Sequence, residues 1–497
     1  MALKPLFARA PLMDTKKAAL PLGQITLGGE IKAKIAALAQ EVQAGEKAPS
    51  AIRALTVAAL LLKDKPLIAY CEKEVAGSPL FLGEDMPVEN ALNIAQAALA
   101  LYEQNMEKAY LEPVMRLIKQ LLHTESAYVL QNPGEAAEVI LRLYNLTGKR
   151  ALLDIMTDLR QRAMDWTSLL HTFEIVKPFE RMVDMKAMEA NEGGMADYYL
   201  RQKALGHGVS VARNLKTPAL YALFSGSAKE TEAPMAGYRR LMKYHGVAGG
   251  IFTAAPYLSG QNFKMPTSYE AMGELAYSLS VIARVDETAL EALEKVAQNG
   301  LMSYRGGAYH SVNEQKDESK STPAAVLKGL TAYVLAANAI LEDSTVLIEL
   351  MMSGEIKVKT AESAVKIAKT LVDGAFTLEV SAGKETRQKI AIRVPEWAGE
   401  AYGQIAREAG VLKDEKGMIV IEHAFAKAPT AIEVKLFPKL KAVEGYRQSR
   451  YFEYGPYVLA KTRGSVKSGI SAEVFGKAET LVPYKDAEER VAQFEAL

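Results

Sequence analysis

Glu270 and Glu274 are four residues apart in Pro266-Thr-Ser-Tyr-Glu-Ala-Met-Gly-Glu274. On a helix that spacing puts both carboxylates on one face. Two close carboxylates push one pKa upward, which suits a general acid paired with an ionised partner. Bond cleavage between sugars needs such a pair. The same stretch of the chain holds His207, between two glycines, His245 before Gly246, and Glu294. The glycines beside His207 allow close backbone approach. A polar loop follows, Tyr304–Thr322, with Tyr309, His310, Asn313, Glu314, Asp317 and Glu318, long enough to rim a pocket. Each residue also has a plainer reading: acids at a helix start favoured by its dipole, a hydrogen-bonded core histidine, a solvated loop. The acidic, aromatic segment Glu189–Tyr199 reads as a surface loop or as a source of one more carboxylate.

The elements that must position these groups are helical up to about residue 341. Ile31, Ile35, Leu38 and Val42 share one helical face. Similar periods recur at Ala51–Lys63, Lys65–Val75, Val88–Asn105, Met106–Thr124, Gly134–Thr147, Lys149–Thr172, Phe179–Lys186, Ala196–Leu205, Val209–Ser225, Glu232–His245, Tyr269–Ala283, Thr288–Asn299 and Ala324–Leu341. Many stop near Gly, Pro or Asn. About a dozen helices paired as hairpins predict an (α/α)6 toroid, with a solenoid or irregular bundle as the competing arrangement. After Glu342-Asp-Ser344 the period becomes two. Short segments at Val346, Ile356, Phe376, Ile390, Met418, Ile432 and Tyr457 predict a C-terminal antiparallel β-sandwich. Ala361–Leu371 reads as a short helix or a loop. The expected domains are 1–30, an arm and a strand (Leu20–Leu27) joining the sandwich; 31–343, the helical part with the pocket; and 344–497, the sandwich.

Composition narrows the function. With 60 Lys plus Arg against 59 Asp plus Glu, no overall field favours nucleic acid or an anionic membrane. No run is apolar for long enough to span a bilayer, and the N-terminus lacks a signal-peptide pattern. The expectation is a soluble, cytoplasmic protein, with a homodimer allowed. The single cysteine, Cys71, excludes a disulfide framework within the chain and a multi-cysteine metal site. Gly206-x-Gly208 and Gly246–Gly250 do not sit in a βαβ unit, which argues against a dinucleotide loop.

Several segments resemble the β-L-arabinofuranosidase-like glycoside hydrolases, family 127 and relatives. They are Gly206-His-Gly-Val, Leu241-Met-Lys-Tyr-His-Gly-Val-Ala-Gly-Gly-Ile-Phe252, Leu258-Ser-Gly260, Glu274-Leu-Ala-Tyr-Ser-Leu279, Leu293-Glu294…Asn299-Gly-Leu, Ile392-Arg-Val-Pro-Glu-Trp-Ala398 and Phe452-Glu-Tyr-Gly-Pro-Tyr-Val458. The resemblance covers roughly 200–460. It implies a zinc ion on one Glu and three Cys, a Cys nucleophile and a Glu acid/base. In register, the Glu-x-Cys falls on Ser268 and Glu270, the Cys pair on Ser321-Thr322, and the acid/base on Pro256. Zinc and thiolate are therefore expected to be absent, and no cofactor is implied. Unactivated Ser or Thr hydroxyls do not replace a thiolate. The resemblance retains His207, His245 and Glu294, and implies that His207 and Glu294 line the sugar site.

The resulting expectation is a metal-independent glycoside hydrolase acting on small oligosaccharides. Glu270 and Glu274 are its candidate catalytic residues; His207, His245, Glu294, Tyr309 and Asn313 are its substrate-binding candidates. The alternatives are an inactive sugar-binding relative, a structural subunit, and a sugar epimerase or lyase.

Overall fold

The computed structural model describes residues 8–495 except 46, 191–193, 314–321, 360–362, 373–374, 406–410, 413, 415–416, 462–468 and 488–490. It consists of a helical domain and a C-terminal, mainly antiparallel β domain, in which Val346–Ile348 pairs in parallel with Thr386–Arg393. Glu192, Glu314, Asp317, Glu318 and Ser321 lie outside the described residues.

Seven helices make the inner face of the helical domain: α1 (Pro49–Leu62), α2 (Val88–Asn105), α3 (Pro133–Thr147), α4 (Gly208–Asn214), α5 (Lys216–Ser225), α6 (Tyr269–Ile282) and α7 (Pro323–Leu335). Three of them, α1, α3 and α7, start on Pro, whose missing N–H costs nothing in a first turn. Helix α6 starts on Ser268, whose hydroxyl accepts from Ala271 N at 3.1 Å. Helix α1 packs on α2, α2 on α3, α3 on α5, α5 on α6, α6 on α7, and α7 back on α1. A second layer covers this one: Gly29–Gly45 lies on α1, Leu111–Gln120 on α2, Ala151–Arg162 on α3, Ala228–His245 on α5 and Ala289–Val296 on α6. The inner helices are buried on most sides. In α1, Ala51 to Thr56 and Ala58 to Leu61 are all buried, as two-sided packing requires.

Some expected helices are divided. Lys149–Thr172 is two helices, because Asp165 caps a new one, accepting from Ser168 N at 3.0 Å. Val209–Ser225 breaks between α4 and α5, where Pro218 has no N–H to give the carbonyl of Asn214. The expected helix Ala324–Leu341 ends at Leu335, and Asn338–Leu341 is a strand. Its Ala-rich sequence has helical propensity, but pairing on both sides prevails.

The strands used below are β1 (Lys17–Ala19), β2 (Ile25–Leu27), β3 (Asn338–Leu341), β4 (Val346–Ile348), β5 (Gly354–Lys359), β6 (Ala364–Val372), β7 (Ala375–Ala382), β8 (Thr386–Arg393), β9 (Ala401–Ile405), β10 (Val411–Leu412), β11 (Met418–Phe425), β12 (Thr430–Leu436), β13 (Leu440–Glu444), β14 (Arg450–Tyr454), β15 (Tyr457–Ala460), β16 (Ile470–Val474) and β17 (Lys477–Pro483). They form three sheets, in the orders β1-β3-β4-β8-β11, β10-β9-β12-β7-β6-β5-β2 and β13-β14-β15-β17-β16. The segment read as helix or loop at 361–371 is mostly β6. The N-terminal arm supplies a strand to each of the first two sheets: β1 pairs β3, and β2 pairs β5. Alternate residues Ile356 and Val358, Val365 and Ile367, and Phe376, Leu378 and Val380 face inward. They share one hydrophobic cluster with Ile390, Ile392, Ile419 and Ile421 of the first sheet.

One inward position of β6 breaks the apolar rule. Lys369 is buried and donates to Asn338 Oδ1 at 2.7 Å. Burial alone pulls its pKa down to about 7. Unfolded lysine titrates near about 10.4. Between these values the unfolded chain binds more protons, so this group makes stability rise with pH across the window. Below it the folded state carries the full cost of a buried ammonium. Lys369→Met is expected to stabilise the β domain by on the order of 1–3 kcal/mol at neutral pH, with the gain fading as pH approaches about 10. Thermal melts of both proteins at several pH values measure it.

Candidate active site

The inner helices run in one direction. Glu89 and Glu270, in the first turns of α2 and α6, reach the same side chain, Arg213 of α4. At the opposite end, Arg142, Leu223, Arg284 and Leu335, near the last turns of α3, α5, α6 and α7, line a single cavity. The N-terminal end, or mouth, is the end where positive helix dipoles favour carboxylates.

At the mouth, Arg213 Nη1 lies 3.9 Å from Glu89 and Nη2 lies 3.7 Å from Glu270. Arg213 Nε donates to Glu274 Oε1 at 3.1 Å. Lys328 of α7 takes the other Glu274 oxygen at 2.7 Å. The two expected carboxylates thus share a face and a cation, yet their environments pull them apart. Glu270 is open to solvent, but desolvation by surrounding atoms outweighs Arg213 and raises its pKa. Glu274 is buried; desolvation is overcome by Lys328 and Arg213, which bring it to about 2. Glu274 is therefore ionised with both oxygens engaged, whereas Glu270 is the accessible acid.

Beneath the mouth the axis is filled with charge. Arg53 of α1 donates to Glu135 of α3 at 2.9 Å, and the fully buried Lys216 of α5 donates to the other Glu135 oxygen. Tyr277 of α6 donates to Glu138 Oε1 at 2.6 Å. Its ring carries Arg53 and Lys328 at 4.7 Å each and Lys216 at 5.3 Å. Desolvation pushes Glu135 up, but Lys216, Lys328, Arg53 and Arg213 outweigh it and hold its pKa well down. For Lys328 desolvation prevails over Glu274 and lowers it to about 8. This network did not figure in the sequence reading. Its signal was there: lone charges inside apolar helical runs, as in Ile52-Arg-Ala, Leu215-Lys-Thr and Leu327-Lys-Gly.

The remaining candidates divide between two places. His207 is half-buried, edge-on to Tyr257 at 5.5 Å. Burial, then Arg213 and Lys203, lower its pKa. Its flanking glycines serve packing: a Cβ on Gly206 would meet Phe179 at 2.1 Å, and one on Gly208 would meet Ala254 at 2.4 Å. Tyr309 is exposed and pairs with Ser268, two residues before Glu270. These two belong to the mouth side. His245 does not reach it. That ring is buried, with Nε2 against Ile175 O at 2.7 Å and Nδ1 accepting from Gly260 N at 3.0 Å. Burial brings it to about 4, so it is neutral.

Glu294 is also elsewhere, accepting from Trp397 Nε1 at 2.9 Å at the contact between the two domains. Burial raises its pKa against Arg393 and Trp397. Asn313 binds the C-terminal segment, donating to Gln493 O at 2.9 Å and accepting from Ala492 N and Gln493 N. Contrary to the expectation of one pocket, the inward-pointing candidates do not share a hollow: the large cavity is lined by none of the seven.

The described positions where the resemblance implies zinc ligands and an acid/base glutamate do not fit those roles. Ser268 is the α6 cap, Pro256 presents a carbonyl to Gly208 N at 2.9 Å, and Glu270 faces an arginine. Among the described residues no three His, Cys, Asp or Glu side chains converge as metal ligands. None of the described helices is long and apolar enough to cross a membrane.

Solved structures share this architecture. A structure described as a glycoside hydrolase superposes with a TM-score of 0.68 at 11% identity, covering 96% of this chain and 91% of its own. The GH127 β-L-arabinofuranosidase of Geobacillus stearothermophilus T6 gives 0.62 at 13% identity, over 90% and 84%. Another GH127 β-arabinofuranosidase gives 0.66 at 12%, over 97% and 98%. The chain has the GH127 fold. No protein-family model matches its sequence, and no curated protein does. Its likeness to the GH127 enzymes is one of fold.

The segments that carry the resemblance are brought together by the fold. They contact one another. Glu294 binds Trp397, Lys295 binds Glu453 at 3.2 Å, and Asn299 bonds Pro456 O at 2.9 Å and Val458 N at 2.7 Å. His245 bonds Gly260, and His207 bridges to Tyr257. These segments latch helical to β domain and pin the loops around the mouth.

Proposed function

We propose that this chain is a carbohydrate-active protein, an (α/α)6 toroid followed by a β-sandwich, that hydrolyses a small glycoside at the mouth around Arg213. The observation that supports it is the pairing of two solvent-open carboxylates, Glu89 and Glu270, on the two terminal nitrogens of one arginine, with Glu270 raised toward the protonated form. Glu270 is the general acid. It gives its proton to the glycosidic oxygen as that oxygen leaves the sugar. Glu89 is the base. It takes a proton from the water whose oxygen bonds to the anomeric carbon. Solvent then returns one proton and removes the other. Glu274 stays ionised and holds Arg213 in place, and His207 and Tyr309 offer polar contacts on the same side.

Glu270→Gln and Glu89→Gln are each expected to lower turnover of aryl glycosides and oligosaccharides by about a hundredfold, at unchanged melting temperature. Because the acid must carry its proton, turnover should fall as pH rises through the elevated Glu270 pKa, and Glu270→Gln should abolish that limb. Unchanged turnover in both variants removes the assignment. A second reading, sugar binding without turnover, is favoured by Glu274 having both oxygens engaged. Calorimetric binding of a sugar with no product at high protein concentration would select it.

A further inference from the structure

Tyr128 stands in a short helix, Ala127–Gln131, that leads directly into α3 and packs on α2, the helix of Glu89. A chain of amide hydrogen bonds ties its backbone to the turn of Arg213. Tyr128 O accepts from Asn132 N at 2.8 Å and from Asn132 Nδ2 at 3.2 Å. Asn132 Oδ1 in turn accepts from Asn214 Nδ2 at 2.9 Å, and Asn214 follows Arg213 in the chain. Both asparagines are buried, so the clamp is shielded from water and holds the start of α3 beside the end of α4.

The side chain is half-buried and its phenol lies at the mouth. After burial, which acts most strongly on it, the groups it feels are Glu135, Arg213, Glu89 and Glu274. These come from α3, α4, α2 and α6, and the place those four helices share is the surroundings of Arg213. Burial and the three carboxylates outweigh Arg213 and raise the phenol's pKa, so it keeps its proton. Among the described residues no hydrogen bond engages the Tyr128 hydroxyl, and the hydroxyl is not sealed from solvent. A half-buried phenol usually has a partner for its O–H. Three carboxylates against one guanidinium disfavour an anion beside it. A neutral hydroxyl fits, because it can accept from the phenol or donate to it.

We propose that Tyr128 is a substrate-binding residue of the mouth, its phenol bonding a hydroxyl of an uncharged sugar held between Glu89 and Glu270. This role rests on the hydrolase reading of that site. It adds the class of substrate, a sugar without an acid group, and the contact that seats it beside Glu89.

The test is steady-state turnover, by the full chain, of nitrophenyl glycosides of L-arabinose, D-galactose, D-glucose and D-mannose, with nitrophenyl D-glucuronide and D-galacturonide as charged probes. On the best neutral substrate Tyr128→Phe should lower kcat/KM about tenfold, mainly through KM, at unchanged melting temperature. Tyr128→Met stands in for it if it melts early. Among monodeoxy forms of that substrate, one should cost wild type about tenfold and Tyr128→Phe less than about twofold, a coupling that a merely structural role does not produce. Tyr128→Phe should keep the falling pH limb that Glu270→Gln abolishes. Both charged probes should turn over at least about tenfold more slowly than the best neutral substrate. If Glu270→Gln and Glu89→Gln lose turnover while the Tyr128 variant keeps wild-type kcat/KM, or if no deoxy form shows the coupling, the Tyr128 role is overturned and the hydrolase reading stands. A charged probe that turns over as fast as the neutral ones overturns the substrate class. If wild type turns over none of them, the Tyr128 role falls together with the hydrolase reading.

Discussion

Glu135→Ala is expected to destabilise the helical domain by about 3–5 kcal/mol, measured as the loss in chemical or thermal unfolding of that domain. The carboxylate is 4% exposed and serves two cations from different helices. Without it, Lys216, fully buried, keeps the Arg213 carbonyl at 3.2 Å and the Tyr277 ring at 5.3 Å, and Arg53 keeps Asn93 at 3.4 Å, Glu138 at 3.8 Å and the Tyr277 ring at 4.7 Å. Two charges would then be short of a counterion in a low-dielectric axis. Truncating one partner exposes the desolvation cost of the others, which is why the effect exceeds that of a surface pair. Glu135→Gln should fall between, keeping hydrogen bonds but not charge. The double variant Glu135→Leu with Lys216→Met should recover much of the loss, since removing both charges removes the unpaired one. The pH dependence has a definite sign. The folded carboxyl lies well below its unfolded value, so its contribution is complete above about pH 4–5 and is lost as pH falls through the lower folded pKa.

Gly273→Ala should cost about 2–3 kcal/mol, although at an open helical site the same change gains about 1 kcal/mol. A Cβ at Gly273 would lie 2.2 Å from the carbonyl oxygen of Ala325, and this backbone has nowhere to retreat. Gly329 of α7 faces the same crossing, with its own Cβ position 3.1 Å from Gly273 Cα. Helices α6 and α7 touch backbone to backbone here, so relief of the overlap requires them to separate. Helix α6 carries Glu270, Glu274 and Tyr277, and α7 carries Lys328. Separation would lengthen the Lys328–Glu274 bond, and the proposed glycoside turnover is expected to fall together with stability. Melting curves and turnover assays on Gly273→Ala, with Gly226→Ala as a control where a Cβ meets nothing but φ is positive, check both halves.

Helical periods between residues 31 and 335, the change to period two, and the four-residue spacing of Glu270 and Glu274 were legible in the chain because each is a local repeat. So was the likeness to GH127, carried by short segments in shared order. Their meaning was not legible. Glu294, His245 and Asn313 have the residue types of a sugar site, but each is consumed by a partner far away in sequence: Trp397, Ile175 and Gly260, Gln493. These segments bind each other across a domain contact, and one-dimensional reading has no means of separating packing of that kind from catalysis. Glu89 escaped notice for the converse reason. It stands 124 residues before Arg213, and only the return of α4 beside α2 and α6 makes the three a group. By itself the sequence determined which faces are apolar and which charges must be buried. Only the tertiary structure decided which charge meets which, because desolvation and Coulomb energies depend on distance in space, and chain closure sets those distances.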